Sequence, residues 1–176
     1  MQTDSTLKIN CQRWLDIADK PDNAAISAWI KQSPSLSLLE TLFSRSPYLS
    51  KLALRHPGII HALQTSGADT VFRAIIDGIA LPEKHDQTYK DLKHLLRDAK
   101  NKAALLIACA DITGVWSLEK VTAALTELAE HSLRVSLNAL LLVAHQRGEI
   151  VIKNTDTPSL DSGIIILGMG KLGGYE

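Results

Sequence analysis

The sequence has no excess charge of either sign. Its 176 residues carry 19 lysines and arginines against 19 aspartates and glutamates, so no global field draws the chain toward nucleic acid or an anionic membrane. Cysteine is scarce. Cys11 and Cys109 lie far apart and neither belongs to a CxxC pair, which points to a reduced cytoplasmic protein with two incidental thiols rather than a disulfide framework. No apolar run reaches the ~18 residues of a membrane helix. The N-terminus, MQTDSTLKINCQRW, lacks the basic-then-apolar pattern of a signal peptide. His56, His61, His85, His94, His131 and His145 include no pair with zinc-ligand spacing. No G-x-S-x-G occurs, so nucleophilic hydrolysis has no support.

What is present is a globular composition, 45% hydrophobic and 22% charged. Pro21, Pro34, Pro47 and Pro57 punctuate the first third, each a helix boundary. Their regular spacing suggests a helical repeat, but the segments between them share nothing beyond proline, which rejects it. NAAISAWIKQ, SLSLLETLFSRS, YLSKLALRH and ADTVFRAIIDGIA carry apolar residues at helical spacing. Two longer helices follow. In the first, Leu92, Leu95, Leu96, Ala99, Ala103, Leu106, Ile107 and Ala110 form one face, and Gly114 ends it. Lys93, Arg97 and Lys100 alternate with Asp91 and Asp98, a solvated face rather than a nucleic-acid patch. The second starts after Ser117, an N-cap residue, and nothing breaks it before Gly148. At 1.5 Å per residue it is a rod of about 45 Å. Trp14, Trp29 and Trp116 are expected as core anchors.

After Gly148 the character changes. Ile150–Ile152 is a short β-branched run, and Ile164–Leu167, bounded by Gly163 and Gly168, reads as a buried strand. The expected fold is therefore mainly α. A helical domain of six to eight helices spans residues 1–148, and residues 149–176 hold the first one or two strands of an incomplete second domain.

The strand feeds the loop GMGKLGG. Gly168, Gly170 and Gly173 satisfy G-x-G-x-x-G, which in a dinucleotide site needs a following helix, a returning strand and an acidic residue ~20 positions on. The P-loop pattern is not met, because Leu172 stands where Lys171 should be followed by a hydroxyl. A ligand-free glycine turn is the plain alternative.

The block GIIILGMGKLGGYE resembles the signature of the glutamine synthetase adenylyltransferases, also called adenylyl-removing enzymes. In that family LGMGKLGG is followed by a serine-rich segment carrying two aspartates. RSPYLSKLALRHPG, Arg45 to Gly58, is similar to an early helical segment of the family, and Leu96 to Glu130 to its long helical region. The resemblance implies a nucleotidyltransferase of the DNA polymerase β-like superfamily, using magnesium and ATP or ADP in the complete enzyme. Carried over by position, Gly168 and Gly170 let backbone amides approach phosphates, and Lys171 adds a point charge. Gly173 and Gly174 permit close packing at the turn. Met169 stands where many superfamily members have serine, which leaves backbone amides as the donors.

The family's metal-binding aspartates belong beyond Tyr175 and Glu176. Asp156 and Asp161 precede the loop and match no part of that pair. The chain is thus expected to be an N-terminal piece, inert alone and without a tightly bound cofactor. The implied partners are glutamine synthetase and the PII signal protein, with no nucleic acid and no membrane. The competing expectation is a stand-alone helical interaction module with a vestigial glycine loop.

Overall fold

A computed structural model describes residues 4–20, 23–32, 36–80, 88–160 and 162–174. Pro21, Pro34, His85, Asp161, Tyr175 and Glu176 lie outside the described residues. Among those described, the helices are α1 (Asp4–Ala18), α2 (Ala24–Gln32), α3 (Leu36–Arg45), α4 (Pro47–Arg55), α5 (Pro57–Ser66), α6 (Ala68–Asp77), α7 (Thr88–Ile112), α8 (Leu118–Gln146) and the single turn α9 (Lys171–Gly174). The chain divides into two compact units, Met1–Arg73 with Asn101–Ser117, and Ala74–Lys100 with Leu118–Glu176.

In the first unit α1 packs on α3 and α4, and α2 and α5 complete the cluster. The fully buried side chains include Trp14, Leu39, Leu42, Phe43, Ile60, Leu105, Leu106 and Cys109. Burying an aromatic ring obliges its polar atom to find a partner. Trp14 Nε1 donates to the Ala53 carbonyl at 3.2 Å, and Trp116 Nε1 donates to Asp69 at 3.4 Å. Phe72 meets Trp116 edge-on, with centroids 5.7 Å apart. Trp29, by contrast, is only half-buried and lies edge-on to His61.

Proline does here what its chemistry predicts. It fixes φ and lacks an amide hydrogen, so the first turn of a helix accepts it. Pro47 and Pro57 open α4 and α5. Ser46 caps α4 by accepting from the Leu49 amide at 3.2 Å, and the buried Ser50 hydroxyl donates to the Ser46 carbonyl at 2.7 Å.

In the second unit, α8 buries Val121, Ala124, Leu128, Val135 and Ala139 along one face. His131 Nε2 lies 2.9 Å from the Ile79 carbonyl. A carbonyl only accepts, so Nε2 carries the hydrogen. The end of α8 is closed by the amides of Gly148 and Glu149, which donate to His145 and Ala144.

The expected strands are not formed. Among the described residues no strand occurs, and Ile164–Leu167 is not a buried run. Exposure alternates along it, 50% at Ile164, 81% at Ile165, 51% at Ile166 and 80% at Leu167. That period of two is the pattern of a half-covered strand. A strand exists only when a neighbour pairs its amides and carbonyls, and no second extended segment among the described residues does so. Val151, in the other β-branched run, is 90% exposed. β-Branching supplied the propensity but not the ladder.

Candidate functional site

The segment that follows α8 is tied back to that helix at two places. Pro158 is fully buried, and the next amide, Ser159, donates to Asn138 Oδ1 on α8 at 3.0 Å. Nearer the end of α8, His145 Nδ1 lies 3.3 Å from the Ile152 amide and 3.2 Å from the Ile150 carbonyl. One nitrogen cannot both donate and accept, so the neutral ring uses one of these contacts at a time. These anchors deliver the glycine loop alongside α8.

Between them lies an open groove of about 580 Å³. The α8 wall presents Glu130, Leu133, Arg134 and Leu137; the facing wall includes Ile164, Ile166, Gly168 and Gly173. Its volume falls in the range of small-ligand pockets, and its lining mixes apolar side chains with the polar Glu130, Arg134 and Ser159. Of the five residues singled out in the sequence, Gly168 and Gly173 line the groove, while Gly170, Lys171 and Gly174 do not. Glu130 and Arg134 are additions that the sequence reading misses. They sit on the long helix with ordinary spacing, and only the placement of the loop against that face brings them near it.

The loop has a definite internal geometry. Gly168 and Gly173 stand back to back. A methyl group built on Gly173 would sit 2.5 Å from the Gly168 carbonyl oxygen and 2.9 Å from its carbon, closer than any real side chain approaches. Gly170 takes φ +63°, in the left-handed region that disfavours other residues. Its carbonyl accepts from the Gly174 amide at 2.9 Å, closing the turn that begins α9. Lys171 is exposed. Among the described residues the amides of Gly168 and Met169 make no backbone hydrogen bond. Exposed amides of this kind at a glycine turn are the groups by which such turns receive anionic oxygens.

No group of three or more His, Cys, Asp or Glu among the described residues could hold a metal ion. Of the two thiols, Cys109 is buried, and that burial pushes its pKa up to about 12. Cys11 is raised first by partial burial and then by the Glu40 carboxylate. Neither thiol is primed as a nucleophile.

Residues 36–176 match the family described as glutamate-ammonia ligase adenylyltransferase. The chain belongs to that family. It is 38% identical over 169 residues to a protein of Rhodopseudomonas palustris (strain HaA2), covering 94% of this chain and 17% of the relative. A protein of Bartonella henselae is 36% identical over 152 residues, covering 86% and 16%. One of Rhizobium meliloti (strain 1021) is 33% identical over 155 residues, covering 82% and 15%. All three relatives are named bifunctional glutamine synthetase adenylyltransferase/adenylyl-removing enzyme. The chain thus spans about a sixth of their length. No solved structure matches it. Among the described residues no helix is long and apolar enough to cross a membrane.

Proposed function

We propose that this chain supplies the helical region, residues 1–148, and the opening of the nucleotidyltransferase domain, residues 149–176, of a cytoplasmic enzyme that transfers AMP to and from glutamine synthetase. The observation that carries the reading is the loop itself. Gly168 and Gly173 in contact fix a turn whose amides at Gly168 and Met169 have no backbone partner among the described residues. It lies in a chain whose relatives are named for both adenylylation and its reversal.

In this reading Gly168, Gly170, Gly173 and Gly174 shape the backbone around the phosphates of ATP or ADP. Lys171 offsets part of their charge. Addition is attack of a glutamine synthetase tyrosine oxygen on the α-phosphorus of ATP, with pyrophosphate leaving. Removal is attack of inorganic phosphate on the tyrosine-linked AMP, which breaks the tyrosine–phosphorus bond and releases ADP. In this reading the chain belongs to the adenylyl-removing half, and PII and glutamine set the direction. Magnesium fits the chemistry of the complete enzyme. The described residues do not form a site for it, so no step is assigned to the metal.

The test uses the complete polypeptide that carries this chain, supplied with adenylylated glutamine synthetase and phosphate, and follows ADP release. Lys171→Ala and Gly173→Ala are each expected to lower kcat/KM at least tenfold with little change in melting temperature. Unchanged release in both variants would remove the loop from the nucleotide site.

A further inference from the structure

From Thr41 to Ala68 the sequence contains no aspartate or glutamate, although the chain as a whole is neutral. That stretch includes Arg45, Lys51 and Arg55, and it is followed at once by Asp69 and preceded by Glu40. The helix α4 turns Ser50, Leu52 and Ala53 inward. Its exposed residues are Pro47, Tyr48, Lys51 and Arg55. Tyr48, Lys51 and Arg55 are spaced i, i+3 and i+7, so they share one face. Arg45, exposed at the end of α3, is separated from α4 by the extended cap residue Ser46. Tyr48 is 46% exposed, a large ring left partly in solvent beside cations. On α7, by comparison, the cations alternate with Asp91 and Asp98.

We propose that the outer face of α4 is a docking surface for an acidic, extended segment of a protein partner. The charge of this acid-free stretch favours that occupant, and the spacing permits it. Lys51 and Arg55 are separated by about 6 Å along the helix axis, and alternate side chains of an extended peptide are about 6.8 Å apart. Two carboxylates on one side of such a peptide therefore meet both cations, and Tyr48 supplies apolar contact area with a hydroxyl at its tip. Three cations on a neutral chain are too few for the phosphate-tracking surface that nucleic acid requires. This surface lies in the first compact unit and is independent of the loop reading.

The experiment measures fluorescence anisotropy of a labelled ten-residue polyglutamate peptide with the 176-residue chain at low ionic strength. The Lys51→Gln/Arg55→Gln variant is expected to weaken binding at least tenfold, and Tyr48→Ala two- to fivefold with no change of charge. Lys93→Gln/Arg97→Gln on α7 should change it less than twofold. Circular dichroism checks that each variant retains its helices. Equal losses from the α4 and α7 pairs would overturn the proposal, because binding would then follow bulk charge. So would the absence of peptide binding, or tighter binding of a ten-residue oligothymidylate than of the peptide.

Discussion

Phe43 and Ile165 are both large apolar residues, and they end in opposite environments. Phe43 sits in α3 with no solvent exposure, inside a cluster formed with α1 and α4. Ile165 is four-fifths exposed in an extended segment whose neighbours are isoleucine on both sides. The contrast is not one of hydrophobicity. A helix satisfies its own backbone, so its apolar stripe needs only another stripe to meet. An extended segment needs a neighbour for its backbone as well, and the described residues offer none. Helical regions are locally self-sufficient in hydrogen bonding, whereas β-segments depend on chain elsewhere.

The sharpest way to break this comparison is truncation in each place. Phe43→Ala should cost about 3–5 kcal/mol, from the lost transfer energy plus the cavity left behind, read as a lowered urea midpoint with unchanged slope. A loss below 1 kcal/mol would mean the cluster around α3 is not packed as described. At the other extreme, Ile165→Lys should change stability by less than about 0.5 kcal/mol, the range of ordinary surface positions. A loss of 2 kcal/mol there would show Ile165 to be covered.

Between these lies the buried thiol. Cys109 keeps its proton in the folded chain to about pH 12, against 9.0 for the free group, because burial disfavours the thiolate. Below pH 9 both states hold that proton and the group adds no pH dependence. As pH rises from 9 toward 12 the unfolded chain releases a proton that the folded one retains. Stability therefore falls by up to about 1.4 kcal/mol per pH unit. Cys109→Ala should flatten that slope, whatever it does to stability at neutral pH. The same alkaline slope in both proteins would place the thiol in solvent.

These contrasts also mark what was legible in the sequence. The helical period and its punctuation gave α7 and α8 nearly to their ends, since Gly114 and Gly148 stop them and Pro47 and Pro57 start α4 and α5. Leu7, Cys11, Trp14, Leu15 and Ala18 hold the same period in α1, although the sequence reading assigns no helix there. Ile164–Leu167 was legible only as a propensity. Alternating exposure is visible once the segment lies along α8, but pairing is a property of two segments and cannot be read from one. In the candidate site the glycines were legible because their spacing is local. Arg134 and Glu130 were not, because their role as a wall depends on Pro158 and the Ser159–Asn138 hydrogen bond folding the loop back against α8.

The contact between Gly168 and Gly173 has one more consequence. The fit is made by the absence of a single carbon atom, with one peptide group occupying the space a neighbour's side chain would need. A loop built in this way is indifferent to what hangs from Met169 and Leu172, whose side chains take no part in that contact. Substitution at those two positions would therefore alter the wall of the groove while leaving the curvature of the turn unchanged, whereas a side chain at Gly173 would break it.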